Sequence, residues 1–98
     1  MSLAKVTSVV QTPNFKKAVK KLNSNQKLDL DVAITRLMGQ PTLGQLKKGD
    51  LAFLRVHKFN MNGQLTLLGY SFDDGRLVLE LMELGFHENF YRDLKRRT

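Results

Sequence analysis

The chain predicts a two-layer α+β fold. Apolar residues recur at helical spacing in its first half, three strand-forming runs separated by turn signals fill its second half, and a short β-branched cluster precedes both. The expected architecture is an N-terminal strand and an antiparallel helical hairpin packed on a mainly antiparallel four-stranded sheet, closed by a short C-terminal helix. With 98 residues, one domain spanning residues 1–98 is the natural size for a self-sufficient core.

Each element has a local cause. Val6, Thr7, Val9 and Val10 form the β-branched cluster of the first strand. Thr12-Pro13 then supplies an N-cap followed by proline at the first helical position, and Phe15, Ala18, Val19 and Leu22 recur at helical spacing, predicting a helix over about Pro13 to Leu22. Its other face holds Lys16, Lys17, Lys20 and Lys21, read as a solvated surface in preference to a phosphate-facing patch. Asn23-Ser24-Asn25 is a turn and cap cluster, after which Leu30, Ala33, Ile34, Leu37 and Met38 form a second apolar stripe, closed by Gly39 and Pro41. The short connection predicts an antiparallel pair of helices, with Asp29 and Asp31 in the first turns of the second, where the dipole favours negative charge.

From Thr42 to Gly49 the glycine-punctuated TLGQLKKG reads as a loop or irregular lead-in, with Lys47 and Lys48 exposed. Asp50 to Phe59, Leu65 to Phe72 and Leu77 to Leu84 are the three consecutive strands, with turns at Asn60-Met61-Asn62-Gly63 and Asp73-Asp74-Gly75. Beyond them, Phe86, Phe90 and Leu94 return to helical spacing ahead of a basic end.

Composition narrows the function. Sixteen Lys and Arg against nine Asp and Glu give a formal charge of +7, which attracts nucleic acid, ribosome, anionic membrane or an acidic partner. No cysteine is present, so disulfides and thiolate chemistry are excluded, as suits a reducing compartment. No apolar run approaches the about 18 residues of a spanning helix, and MSLAKV lacks the apolar region of a signal peptide. A cytoplasmic protein that does not enter membranes is expected.

Candidate chemistry gathers at two places. In LAFLRVHKF, strand alternation puts Phe53, Arg55 and His57 on one face and Ala52, Leu54 and Val56 on the other. The small aliphatic set is expected to meet the helices, leaving Arg55 and His57 on the open face as a fixed cation beside a group that titrates near neutrality. His87 follows the last strand and Tyr91 comes four residues later; helical spacing would bring imidazole and phenol together, the plainer alternative being a capping histidine and a tyrosine packed on the sheet. Together these residues suit metal-free RNA cleavage. That reaction needs a base for the attacking 2′-hydroxyl, an acid for the departing 5′-oxygen, positive charge for the phosphorane and an aromatic ring for an unstacked base. Phosphate-binding loops are absent, Asp73 and Asp74 serve a turn, and two histidines without cysteine make a poor zinc site. No metal and no cofactor are expected.

With these residues in view, the order of elements and the segments LRVHKF, LTLLGYSF and LVLELMELGFHENFYRDLKR resemble the RelE/ParE superfamily of toxins over nearly the whole chain. In the RelE branch basic residues alternate on the first long strand, where Arg55 and His57 stand here. In its YafQ-like branch a glycine, a histidine two residues on and an aromatic four further follow the last strand, as Gly85, His87 and Tyr91 do. Two departures stand out: Gln64 to Leu68 carries no basic residue, and His87 replaces the arginine that RelE proper has after its last strand. Both shift the expected chemistry toward histidine.

The resemblance implies a type II toxin that cuts messenger RNA on the translating ribosome, with Arg55, His57, His87 and Tyr91 catalytic and Lys47, Lys48, Lys58, Arg92 and Lys95 contacting phosphates. It also implies silencing by a cognate antitoxin, and no direct DNA binding without that partner. Two alternatives share the fold: a ParE-like toxin that binds DNA gyrase without catalysis, and an inactive RNA-binding member.

Overall fold

A computed structural model of the protein describes residues 6–49 and 52–86. The chain runs β1 (Ser8–Gln11), α1 (Pro13–Lys20), α2 (Ser24–Gly39), β2 (Gln45–Leu46), β3 (Arg55–Met61), β4 (Gln64–Asp73) and β5 (Val78–Phe86). The C-terminal helix expected from about Glu88 lies outside the described residues. None of the described helices is long and apolar enough to cross a membrane.

Both helices start where their capping residues require. The Thr12 side chain accepts a hydrogen bond from the Phe15 N–H with Pro13 in the first turn, and Asn23 and Gln26 form a reciprocal capping box. Because α2 already begins at Ser24, its first turn holds no acid, so Asp29 and Asp31 lie beyond the reach expected of the helix dipole. Asp29 instead accepts the Asn62 backbone N–H at 2.7 Å and ties α2 to the turn between β3 and β4.

The sheet order is β1-β5-β4-β3-β2, with β1 parallel to β5 and every other pair antiparallel. The expected four-stranded sheet thus gains a fifth, two-residue edge strand: Gln45 and Leu46 pair with Val56 and Arg55. Asn62 and Gly63, both at positive φ, form the tight turn between β3 and β4, a conformation that the Asn-Gly pair adopts at low cost. At the turn before β5, the Asp73 carboxylate accepts the N–H groups of Gly75 and Arg76, which accounts for an acid there without chemistry.

Central β4 is buried on both sides, as its unbroken Thr66-Leu67-Leu68-Gly69-Tyr70 run requires. Leu68 and Tyr70 join Phe15, Leu30, Leu37, Met61, Leu79, Leu81 and Leu84 in the core beneath the helices. Leu67 turns the other way and packs with Leu54, Val56 and Met82. This second cluster corrects the face assignment of β3. Leu54 and Val56 point away from the helices, while Arg55 and His57 share the helix-side face with Phe59 and Met61. Alternation groups the residues correctly, but Phe59 and Met61, further along the strand, bring more apolar bulk than Leu54 and Val56 and decide which set meets the helices. The opposite face is not free either: Leu54 and Leu67 are both 0% exposed.

Candidate functional site

Arg55 and His57 are two residues apart on β3 but meet different surroundings. Arg55 pairs across the ladder with Tyr70, and both side chains hold the loop that follows α2. One Arg55 guanidinium nitrogen donates to the carbonyls of Thr42 at 3.3 Å and Gly44 at 2.9 Å. The Tyr70 hydroxyl donates to the Pro41 carbonyl and accepts the Gly44 N–H, each at 2.8 Å. Burial pushes the Tyr70 phenol up from its ordinary value, opposed by the Gly44 hydrogen bond and the Arg55 charge. A Cβ on Gly44 would stand 2.7 Å from the Tyr70 ring, so only glycine lets the loop lie this close. Arg55 is therefore part of a clasp between loop and sheet.

His57 lies at a groove of about 290 Å³ between α2 and β3, lined by Asp29, Val32, Ala33, Arg36, Lys58, Phe59 and Asn60 besides the histidine itself. Its imidazole stacks on the Phe59 ring with centroids 5.9 Å apart and planes inclined by 7°. Burial, with the Arg36 charge second, pushes the His57 pKa below its ordinary 6.5. At neutral pH the ring is consequently uncharged, the form in which one nitrogen is free to accept a proton.

Of the remaining expected site residues, Lys58 alone among the described ones lines this groove. Lys58 is exposed at its rim and Lys48 is exposed beyond β2, whereas Lys47 is half-buried, with its backbone N–H bonded to the Leu54 carbonyl. Gly85 pairs with Leu67, which pairs in turn with Lys58, so the end of β5 is two strands from the groove, about 10 Å at ordinary strand spacing. His87, Tyr91, Arg92 and Lys95 lie outside the described residues. A second cavity of about 600 Å³ opens at the same end of the sheet, lined by Lys17, Lys21, Met61, Leu84 and Phe86 among others.

Sequence reasoning missed Arg36, Asp29 and Tyr70. A signal for the first two exists, because Asp29, Val32 and Arg36 recur at helical spacing beside the apolar stripe of α2. Its use depends on knowing that β3 packs there. For Tyr70 there is no local signal, since its partner Gly44 is 26 residues away.

Known structures share this fold. The chain superimposes on the free form of a double-arginine variant of E. coli toxin RelE with a TM-score of 0.70 at 18% identity, covering 91% of this chain and 94% of that one. The same variant in complex with an antitoxin RelBc peptide gives 0.67 at 16% identity and 95% coverage of each chain. The intact E. coli RelBE toxin–antitoxin complex gives 0.65 at 18% identity, over 80% of this chain and 93% of that one. Identities this low establish a shared fold and nothing finer. Among curated protein sequences none matches the chain. The family model of the ParE-like toxins of type II bacterial toxin–antitoxin systems matches residues 9–95, and the chain belongs to that family.

Proposed function

We propose that this toxin cleaves messenger RNA on the translating ribosome without a metal ion and is silenced by a cognate antitoxin. The observation that carries the reading is His57: an imidazole stacked on an aromatic ring in a groove lined by Arg36, with Lys58 at its rim, where burial and the Arg36 charge lower its pKa. His57 accepts the proton of a ribose 2′-hydroxyl as that oxygen attacks the adjacent phosphorus. The bond from phosphorus to the 5′-oxygen breaks, and His87 returns a proton to the leaving oxygen. The products are a 2′,3′-cyclic phosphate and a 5′-hydroxyl. Tyr91 stacks on or orients the base. Lys47, Lys48, Lys58, Arg92 and Lys95 supply attraction along the RNA backbone, and Arg55, holding the loop after α2, adds its charge to that field. The antitoxin reading is supported by the fold shared with the toxin of the RelBE complex and by the charge of +7, which suits an acidic partner.

Cleavage mapping in a translating extract tests the assignment, with wild type compared against His87→Ala. Loss of cut sites in the variant is expected; equal cutting by both proteins removes His87 from the mechanism. One observation favours a second reading. Arg55 is engaged with two carbonyls, so the expected ribonuclease set lacks a free cation on β3 beside His57. A non-enzymatic toxin that binds DNA gyrase would not need one. Inhibition of supercoiling by purified gyrase, with messenger RNA left intact, identifies that case.

A further inference from the structure

We infer that Arg36 is the side chain that holds a phosphate of bound RNA in the groove between α2 and β3, in the place that strand alternation suggested for Arg55. The inference rests on the ribonuclease reading of the same groove and names its anion-binding residue.

Three observations bring Arg36 forward. It stands in the last turn of α2, exposed, and lines the same groove as His57. Among the described residues it has no ion-pair partner; the ion pair found there is Arg76 with Asp73, at the far hairpin. Asp29, the one acid lining the groove among the described residues, directs a carboxylate oxygen to the Asn62 N–H at 2.7 Å. Arg55, by contrast, has its guanidinium turned to the Thr42 and Gly44 carbonyls.

Geometry and chemistry agree on the ligand. A guanidinium presents parallel N–H donors that match two non-bridging phosphate oxygens, and it stays charged at any pH the protein meets. The charged groups on the helix side of the groove, with His57, are Arg36 and Asp29 from α2, while Lys58 and Asn60 reach its rim from the other face of β3. A phosphodiester seated on Arg36 lies beside the imidazole, with Lys58 at the rim for the neighbouring phosphate. The volume of about 290 Å³ suits one such group with its sugar. Positive charge next to His57 serves both ends of the step: after burial, it is the second cause that lowers the imidazole pKa, and it meets the charge that grows on the phosphorane oxygens.

The test follows the His57 ring resonances of the full chain by NMR while an all-2′-O-methyl hexaribonucleotide, which cannot be cut, is added. The wild type is expected to bind with its His57 signals shifted. Arg36→Gln should bind at least tenfold more weakly, lower the log–log salt slope by about 0.7, the value for one phosphate on a single strand, and leave the His57 signals unmoved by the probe. Without probe, Arg36→Gln should raise the His57 titration midpoint, and Arg36→Lys should restore it along with the salt slope. Equal affinity and salt slope in wild type and Arg36→Gln, or a wild type that does not bind the probe, overturns the inference. The ribonuclease reading is judged separately by cutting of messenger RNA in extract. A toxin that cuts normally as Arg36→Gln refutes Arg36 and keeps that reading, whereas one that binds through Arg36 and never cuts refutes the reading and keeps the site.

Discussion

Replacing Tyr70 with phenylalanine removes one oxygen from the interior, and the structure sets the size of the effect. Tyr70 is 0% exposed, and its hydroxyl has two protein partners, the Pro41 carbonyl and the Gly44 N–H, each at 2.8 Å. Both belong to buried residues. An orphaned buried polar group costs about 1–3 kcal/mol. Because these two converge on one point and can relax together, Tyr70→Phe should lose about 2–4 kcal/mol, a large part of the roughly 5–15 kcal/mol available to a domain. Given a urea slope of about 2 kcal/mol/M, the unfolding midpoint should fall by about 1–2 M with the slope unchanged. The same clasp fixes the chain just beyond Arg36, so the variant should also bind RNA more weakly. A midpoint within about 0.2 M of wild type would falsify the claim that this hydroxyl holds the loop to the sheet.

Further consequences are open to the same methods. Gly44→Ala places a Cβ 2.7 Å from the Tyr70 ring and should cost about 1–3 kcal/mol in a urea titration, since ring or loop must move; a neutral result means that the loop yields freely. Gly63, at φ +84 in the turn between β3 and β4, should lose about 1–2 kcal/mol on replacement by alanine, read as a lower melting temperature. His57 binds a proton less readily folded than unfolded, its pKa being pushed below 6.5. Its contribution to stability is thus fully present above about pH 7, and it is lost as pH falls through the lowered folded pKa. Over that window His57→Gln should lose less stability than wild type, and parallel curves would show that the imidazole is not coupled to folding.

Much of the fold was legible because its determinants are local. Thr12-Pro13 and Asn23 with Gln26 announce both helix starts within a few residues, and Asn62-Gly63 announces the hairpin. What escaped depends on distant partners. The parallel pairing of β1 with β5 joins residues some 70 positions apart, and nothing in Gln45-Leu46 alone predicts that it pairs with β3. The candidate site shows the same division. Alternation correctly set Arg55 and His57 on one face, yet the face itself was decided by Phe59 and Met61 joining the core beneath α1 and α2. Once β3 is turned that way, Arg55 meets loop carbonyls and His57 meets Arg36, a pairing between helix and strand that no spacing along the chain encodes.

The most direct test of the account is the chemistry of cut ends. Messenger RNA from a translating extract treated with wild-type toxin should carry 2′,3′-cyclic phosphates and 5′-hydroxyls at its new ends, and His57→Gln should slow their appearance by about 10²–10⁴-fold, the usual worth of a general base. Ends bearing 5′-phosphates, or undiminished cutting by a folded His57→Gln protein, would contradict it.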